Sequence, residues 1–366
     1  MTTTFPDISI NTDRLVLRAL EEADAPALAE MMNDELVGAW TAVPQPFTEA
    51  AAREWITGYA PAERAAGRGL DLAVTEFLTQ RLVGTGKDGE VRWQRVQAFA
   101  GAASLELQER PGVGGAWLRA WRADAPKDPG GAAVHAEFLV QQAWRSSSAG
   151  TDDFRIILEE ALKVTEEAAL LAPGDPVPYI TRLAVARGLG YGHEQFDQVW
   201  AKVIDRAPQH MGAHLAALHY WCEKWHGSRE EADHFATTAA ARAPRGSLLA
   251  ALPLFAVHEH VPDVVLVQDF FRTQVVAKAV EGALYAVHSA RPDDPMQAHV
   301  RHLLIWFLVR GERWAEAMHQ LVKVDGHVGA VPWTLSADPA AEYTVFRNLA
   351  VAGYEANGGS PLTLPR

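Results

Sequence analysis

Pro208 to Glu231 reads P-Q-H-M-G-A-H-L-A-A-L-H-Y-W-C-E-K-W-H-G-S-R-E-E, and both ends of a helix are written into it. The residue before a proline is pushed out of the helical region, so Pro208 closes the element that precedes it. Ala213, Ala216, Ala217 and Leu218 favour helix. Gly227 supplies a left-handed stop, and Ser228 with Glu231 three residues later forms a capping box for the next helix. Two helices joined by so short a turn make an αα-hairpin.

Working outward, one phrase punctuates the chain: A-P-K-D-P at 125–129, A-P-G-D-P at 172–176, A-P-Q-H at 207–210, A-P-R-G-S at 243–247 and, more loosely, R-P-D-D-P at 291–295. Its leading prolines (Pro126, Pro173, Pro208, Pro244 and Pro292) lie 47, 35, 36 and 48 residues apart. The middle intervals approach the 34-residue tetratricopeptide period. Each first proline stops a helix, while Asp128, Asp175 or Asp294 caps the next. The helices pair as 176–189 with 194–206, 210–226 with 228–242, 248–259 with one near 270–287, and 296–310 with 312–324. A last helix, 339–351, is capped by Asp338. The expected fold is therefore mainly α, a tetratricopeptide-like α-α solenoid over residues 89–355 with a disordered tail at 356–366.

Composition excludes several classes of function. A net charge of −13 over 366 residues argues against nucleic acid and anionic membrane surfaces as partners, since both require basic surface. One cysteine cannot form an internal disulfide, which fits a cytoplasmic location. The start shows no basic region followed by an apolar run, and no stretch is long and apolar enough to predict a membrane span.

Residues 1–88 have a different pattern. T-D-R-L-V-L-R-A-L at 12–20 alternates as a strand, and Glu21 to Asp34 reads as a helix with Ala25, Leu28, Ala29, Met31 and Met32 on its apolar side. Thr48 caps a helix carrying Trp55, Ile56 and Tyr59. Two hairpin strands follow at 70–78 and 80–84. This is a small, incomplete α/β segment. Its phrases T-D-R-L-V-L-R-A-L-E-E-A-D-A, P-F-T-E-A-A-A-R-E-W-I, A-A-G-R-G-L-D-L-A-V-T-E and Q-R-L-V-G-T resemble the opening of a GNAT N-acetyltransferase over residues 11–86. The nearest branch is the one that acetylates ribosomal-protein N-termini and small amines. The resemblance implies acetyl-CoA, held by a Q/R-x-x-G-x-G/A loop that leads into a helix. The nearest approach to that loop is E-R-P-G-V-G-G at 109–115, with Gly112 and Gly114 as its glycines. Its acidic first residue would repel a pyrophosphate, so the segment is read as inactive. Residues 91–345 (W-L-R-A-W, L-A-P-G-D-P, H-Y-W-C-E-K-W-H-G-S) resemble bacterial helical-repeat proteins, which supports the fold and supplies no reaction.

Candidate sites come from the opening stretch. On one continuous helix His219, Cys222, Glu223 and His226 share a third of the circumference. His219, Cys222 and His226 would then form half of a zinc site, completed by His258 and His260; buried imidazoles and a thiol between helices explain the same spacing. Trp221 and Trp225, four apart, and Trp117 with Trp121 either line a peptide groove or pack one helix on the next. Trp221, Trp225 and His214 are taken as a surface for a protein or peptide partner. No G-x-S-x-G, phosphate loop or H-E-x-x-H occurs. The expected function is a cytoplasmic helical-repeat scaffold or binding protein that needs no cofactor. The alternative is an acetyl-CoA-dependent N-acetyltransferase, which requires strands rather than helix over 91–107. A third reading makes residues 1–88 a relic of gene fusion.

Overall fold

Alternating residues at the start of the chain produce strand β2 (Leu15–Ala19), which pairs antiparallel with β1 (Ile10–Asn11) and β3 (Leu72–Glu76). Leu17 lies opposite both Ile10 and Val74, giving the order β1-β2-β3. The computed structural model describes residues 10–11, 15–33, 46–65, 72–76, 89–146, 150–262, 268–324 and 328–360. The strand expected at 80–84 and residues 361–366 of the tail lie outside them. The chain divides into two compact units, residues 1–85 and 86–366.

In the first unit, α1 (Ala25–Met32) buries Ala25, Leu28 and Ala29. Met31, placed on the apolar side by sequence, is 53% exposed, because the buried positions follow a three-four spacing that steps past it. Asn33 ends the helix and clamps the returning chain. Its Nδ2 donates to the Ala29 and Phe47 carbonyls, both at 2.7 Å, and its Oδ1 accepts from Phe47 N at 2.9 Å. Thr48 caps α2 (Glu49–Glu54), accepting from Ala51 N. A single helix was expected there. Instead a π-turn (Trp55–Tyr59) intervenes before α3 (Ala60–Ala65), with Ala60 N bonded five residues back to Trp55 O. Pro61 explains the widened turn, since it has no N–H to continue the i−4 ladder.

The second unit is helical throughout its described residues. Its first part comprises α4 (Gly89–Glu109), α5 (Ala116–Asp124), α6 (Pro129–Ser146) and α7 (Asp152–Leu171). Paired helices follow: α8 (Val177–Leu189) with α9 (His193–Ile204), and α10 (Met211–Trp221) with α11 (Arg229–Arg242). Then come α12 (Leu252–Glu259), α13 (Gln268–Phe271), α14 (Gln274–Ser289), α15 (Gln297–Arg310), α16 (Trp314–Leu321) and α17 (Pro339–Ala356).

The expected caps are made. Asp128 accepts from Gly130 N at 2.7 Å, Asp175 from Val177 N at 3.0 Å, Asp294 from Met296 N at 3.0 Å and Asp338 from Ala341 N at 3.0 Å. Each satisfies an N–H that has no partner inside its own helix. The core runs along α10–α17 and is densest at α15, where residues 302–309 are all buried. That helix is apolar nearly all round, as a central helix must be.

Helix α4 is tied into this unit by two carboxylate contacts. Glu90 accepts from Met211 N (2.9 Å) and Gly212 N (2.7 Å) at the start of α10, and Arg92 pairs with Asp175 at 2.7 Å. The strand required by the acetyltransferase reading at 91–107 is therefore a helix. No helix among the described residues is long and apolar enough to cross a membrane.

Candidate functional site

Phe196 and Tyr220 stack at 3.6 Å between centroids, and the Tyr220 hydroxyl donates to the Tyr191 carbonyl at 2.6 Å. This buried pair fixes the end of α10 against α9 and holds Trp221, whose ring meets Phe196 at 5.8 Å and His193 at 4.8 Å. Beyond it, α9 and α11 stand apart over α10 and leave a cleft of about 550 Å³. Its rings are Trp200, Trp221, Phe235, His214 and His234, and its charged side chains are Asp197, Glu231 and Arg242. Trp200 meets the His214 ring at 4.9 Å edge-on and Phe235 at 5.4 Å.

His214 is 4% exposed. Its Nδ1 donates to the His210 carbonyl at 2.9 Å, and burial lowers its pKa to about 4. The ring is therefore neutral at neutral pH and its Nε2 is an acceptor. The Trp221 Nε1 donor is buried without a partner among the described residues. Apolar walls with a few unused polar groups are the usual make-up of a binding site.

Trp221 and His214 both line this cleft, and Trp225 does not join them. Helix α10 ends at Trp221, so Trp225 lies in the following turn, where its ring meets Trp144 at 5.2 Å and Arg187 lies 4.9 Å above it. The expectation that Trp221 and Trp225 share a helix face is corrected by this early stop. The chain folds back so tightly that a Cβ on Gly227 would fall 2.1 Å from the Trp221 carbonyl oxygen. His226 N bonds to Tyr220 O, and Trp225 N to Cys222 O. Trp117, paired with Trp121 in sequence, packs on Phe99, while Trp121 Nε1 donates to Asp128.

The same turn separates the metal candidates. His219 contacts Glu259 at 3.4 Å, Cys222 Sγ donates to the Leu218 carbonyl at 3.2 Å, and His226 Nε2 donates to the Arg187 carbonyl at 2.7 Å. Burial and the nearby Glu259 charge push the Cys222 thiol up to about 12. His260 donates to the Ala256 carbonyl, and His258 packs on Trp306. Among the described residues no three His, Cys, Asp or Glu side chains are grouped to hold a metal ion.

Gly112 and Gly114 lie in the turn between α4 and α5. Gly112 has φ +85° and Gly115 φ +70°. The turn closes on itself: Val113 N and Gly114 N bond to Arg110 O, Ala116 N to Val113 O, and Gly115 N to the Glu106 carboxylate. A pyrophosphate loop must direct such N–H groups at its ligand, and here they are engaged by the protein, one of them by a carboxylate. These residues do not fit the CoA pyrophosphate.

Residues 14–142 match the acetyltransferase (GNAT) domain family. The match covers about a third of the chain and extends beyond the resemblance at 11–86 into α6. Its part from 89 to 142 consists of α4, α5 and most of α6. Neither a curated protein nor a solved structure matches the chain.

The sequence reading missed Trp200, Phe235, Asp197, Glu231 and Arg242. A signal was present: Trp200 precedes Pro208 by eight residues and Phe235 precedes Pro244 by nine. Large rings at nearly equivalent positions of successive helix pairs point to one shared surface.

Proposed function

We propose that this protein is a binding module: a tetratricopeptide-like helical body that takes a peptide segment of a partner protein in the cleft between α9, α10 and α11. In this reading it acts in the cytoplasm, and the N-terminal GNAT-like α/β segment is without activity. The observation that carries it is the ring-lined cleft, where half-buried Trp200, Trp221 and Phe235 surround the uncommitted His214 Nε2. The N–H of a peptide unit complements the His214 Nε2 acceptor. The test is an array of immobilised peptides probed with the purified protein and with a Trp200→Ala/Phe235→Ala variant of unchanged circular dichroism. A subset of peptides retained by the protein and lost at least about tenfold by the variant is expected, since aromatic anchors dominate such interfaces. Equal retention, or none, would sink the reading.

The family match at 14–142 favours a second reading, an acetyl-CoA-dependent N-acetyltransferase acting on an amine or protein N-terminus. Calorimetric titration with acetyl-CoA decides it. A Kd below about 100 μM, near −5.5 kcal/mol, would establish a cofactor pocket built without the Gly112–Gly114 turn. Silence at millimolar ligand would retire the enzyme.

A further inference from the structure

The cleft has a direction. Helices α9 and α11 run the same way along it: His193 comes within 4.0 Å of Glu231 near their first turns, and Trp200 meets Phe235 further along. Asp197 and Glu231 thus line one end, both close enough to the Tyr220 hydroxyl to raise its pKa after burial has done so. Arg242, the last residue of α11, lines the other end with Pro208, Pro244 and Leu249. Eleven helical residues separate Glu231 from Arg242, about 16 Å along the axis. Between them lie the rings and the buried His214, whose Nε2 accepts and cannot donate at neutral pH. An occupant of this cleft meets negative charge, then a mainly aromatic stretch with His214, His234 and Thr238 among its polar groups, then positive charge.

We propose that the cleft selects an extended five-residue peptide segment with a basic side chain at one end and a carboxylate at the other, four residues on, joined by apolar residues. Charge complementarity runs along the groove. An extended chain advances about 3.3 Å per residue, so the ends of a five-residue segment lie about 13 Å apart and its long terminal side chains reach the rest of the way. The basic group lies between the Asp197 and Glu231 carboxylates beside the face of Trp221, where cation–π attraction adds to charge. The carboxylate meets the Arg242 guanidinium, and a backbone N–H between them donates to His214. The inference rests on the binding reading above and deepens it. Glu231 in the first turn of α11 and Arg242 in its last also complement the dipole of that helix, and the experiment separates the two roles.

The test is fluorescence anisotropy of the full-length protein with labelled Arg-Leu-Phe-Leu-Glu and Gln-Leu-Phe-Leu-Gln peptides, blocked at both ends. The charged peptide is expected to bind at least about tenfold more tightly, with an advantage that shrinks as salt rises. Glu231→Gln and Arg242→Gln should each erase most of that advantage, read as the ratio of the two affinities. Equal affinity for the two peptides would overturn the charge selection while leaving the cleft as a binding site. No binding of either would sink the cleft reading as well. Variants that melt earlier but keep full selectivity would assign these charges to the helix ends alone, against the proposal.

Discussion

In the N-terminal unit the described apolar cluster comprises Ala25, Leu28, Ala29, Phe47, Ala52 and Ile56, and the Asn33 side chain holds the chain that returns to it. In the C-terminal unit helices stack layer on layer, and whole faces of α8, α12 and α15 are buried. The second unit also carries polar groups deep inside. Glu137 on α6 is 4% exposed and accepts from Thr181 on α8 at 2.9 Å. A small core needs its backbone captured at defined points. A deep one can carry buried polar groups, because apolar burial of roughly 25 cal/mol per Å² outweighs them.

The largest effect expected from this contrast is in separated fragments. Residues 86–366 expressed alone should be soluble and unfold cooperatively, with a helical circular dichroism spectrum. Residues 1–85 alone should show a broad, shallow transition at most, since so short a unit buries a smaller share of its surface than the 86–366 unit does. An insoluble helical fragment would break the comparison and the fusion-relic reading with it.

A smaller effect concerns Glu137, whose pKa burial raises from 4.5 to about 6 against its hydrogen bonds from Thr181, Gln141 and Gln97. The folded protein keeps a proton that the unfolded chain releases between those values. Its contribution is therefore full below pH 4.5 and is lost as pH rises through 6, about 2 kcal/mol in all. His214 and His299, both lowered to about 4 by burial, have the opposite sign, and their stability is lost as pH falls from 6.5 toward 4. Two imidazoles outweigh one carboxyl, so stability should rise from pH 4.5 to 7. Glu137→Gln should steepen that rise by about 2 kcal/mol in urea unfolding. Parallel curves for the two proteins would show that Glu137 does not keep its proton.

The smallest effect is in the first unit. Asn33→Ala removes three hydrogen bonds and should lower its stability by about 1.5 kcal/mol, most of it from the unpaired backbone of Phe47. Increased hydrogen exchange at Phe47 N–H would sharpen the comparison. Unchanged exchange there would show that the apolar set alone holds that segment.

The helical hairpins were legible because their signals are local. Pro208 stops α9, Ser228 caps α11 through Glu231 N, and the Asp-Pro phrases open α6 and α8. The N-terminal strand β2 and the Thr48 cap were legible for the same reason. The length of α10 was not. Nothing in C-E-K-W-H forbids helix, and the stop after Trp221 depends on a fold-back at Gly227 that brings His226 onto α8 and Glu259 of α12 onto His219 and Lys224. One misplaced helix end then carried Cys222, His226 and Trp225 into a constellation that the fold disperses.

By itself the sequence determined a mainly helical body in paired helices, with a differently built N-terminal segment, because caps, prolines and apolar periodicity act over a few residues. The tertiary structure alone decided that α4 is tied to α8 and α10 through Arg92 and Glu90, and that the Gly112–Gly114 turn spends its donors on its own backbone. It alone set Trp200, Trp221, Phe235 and His214 around one cleft. Those facts depend on which helix faces meet between helices distant in sequence, a geometry that no window of neighbouring residues contains.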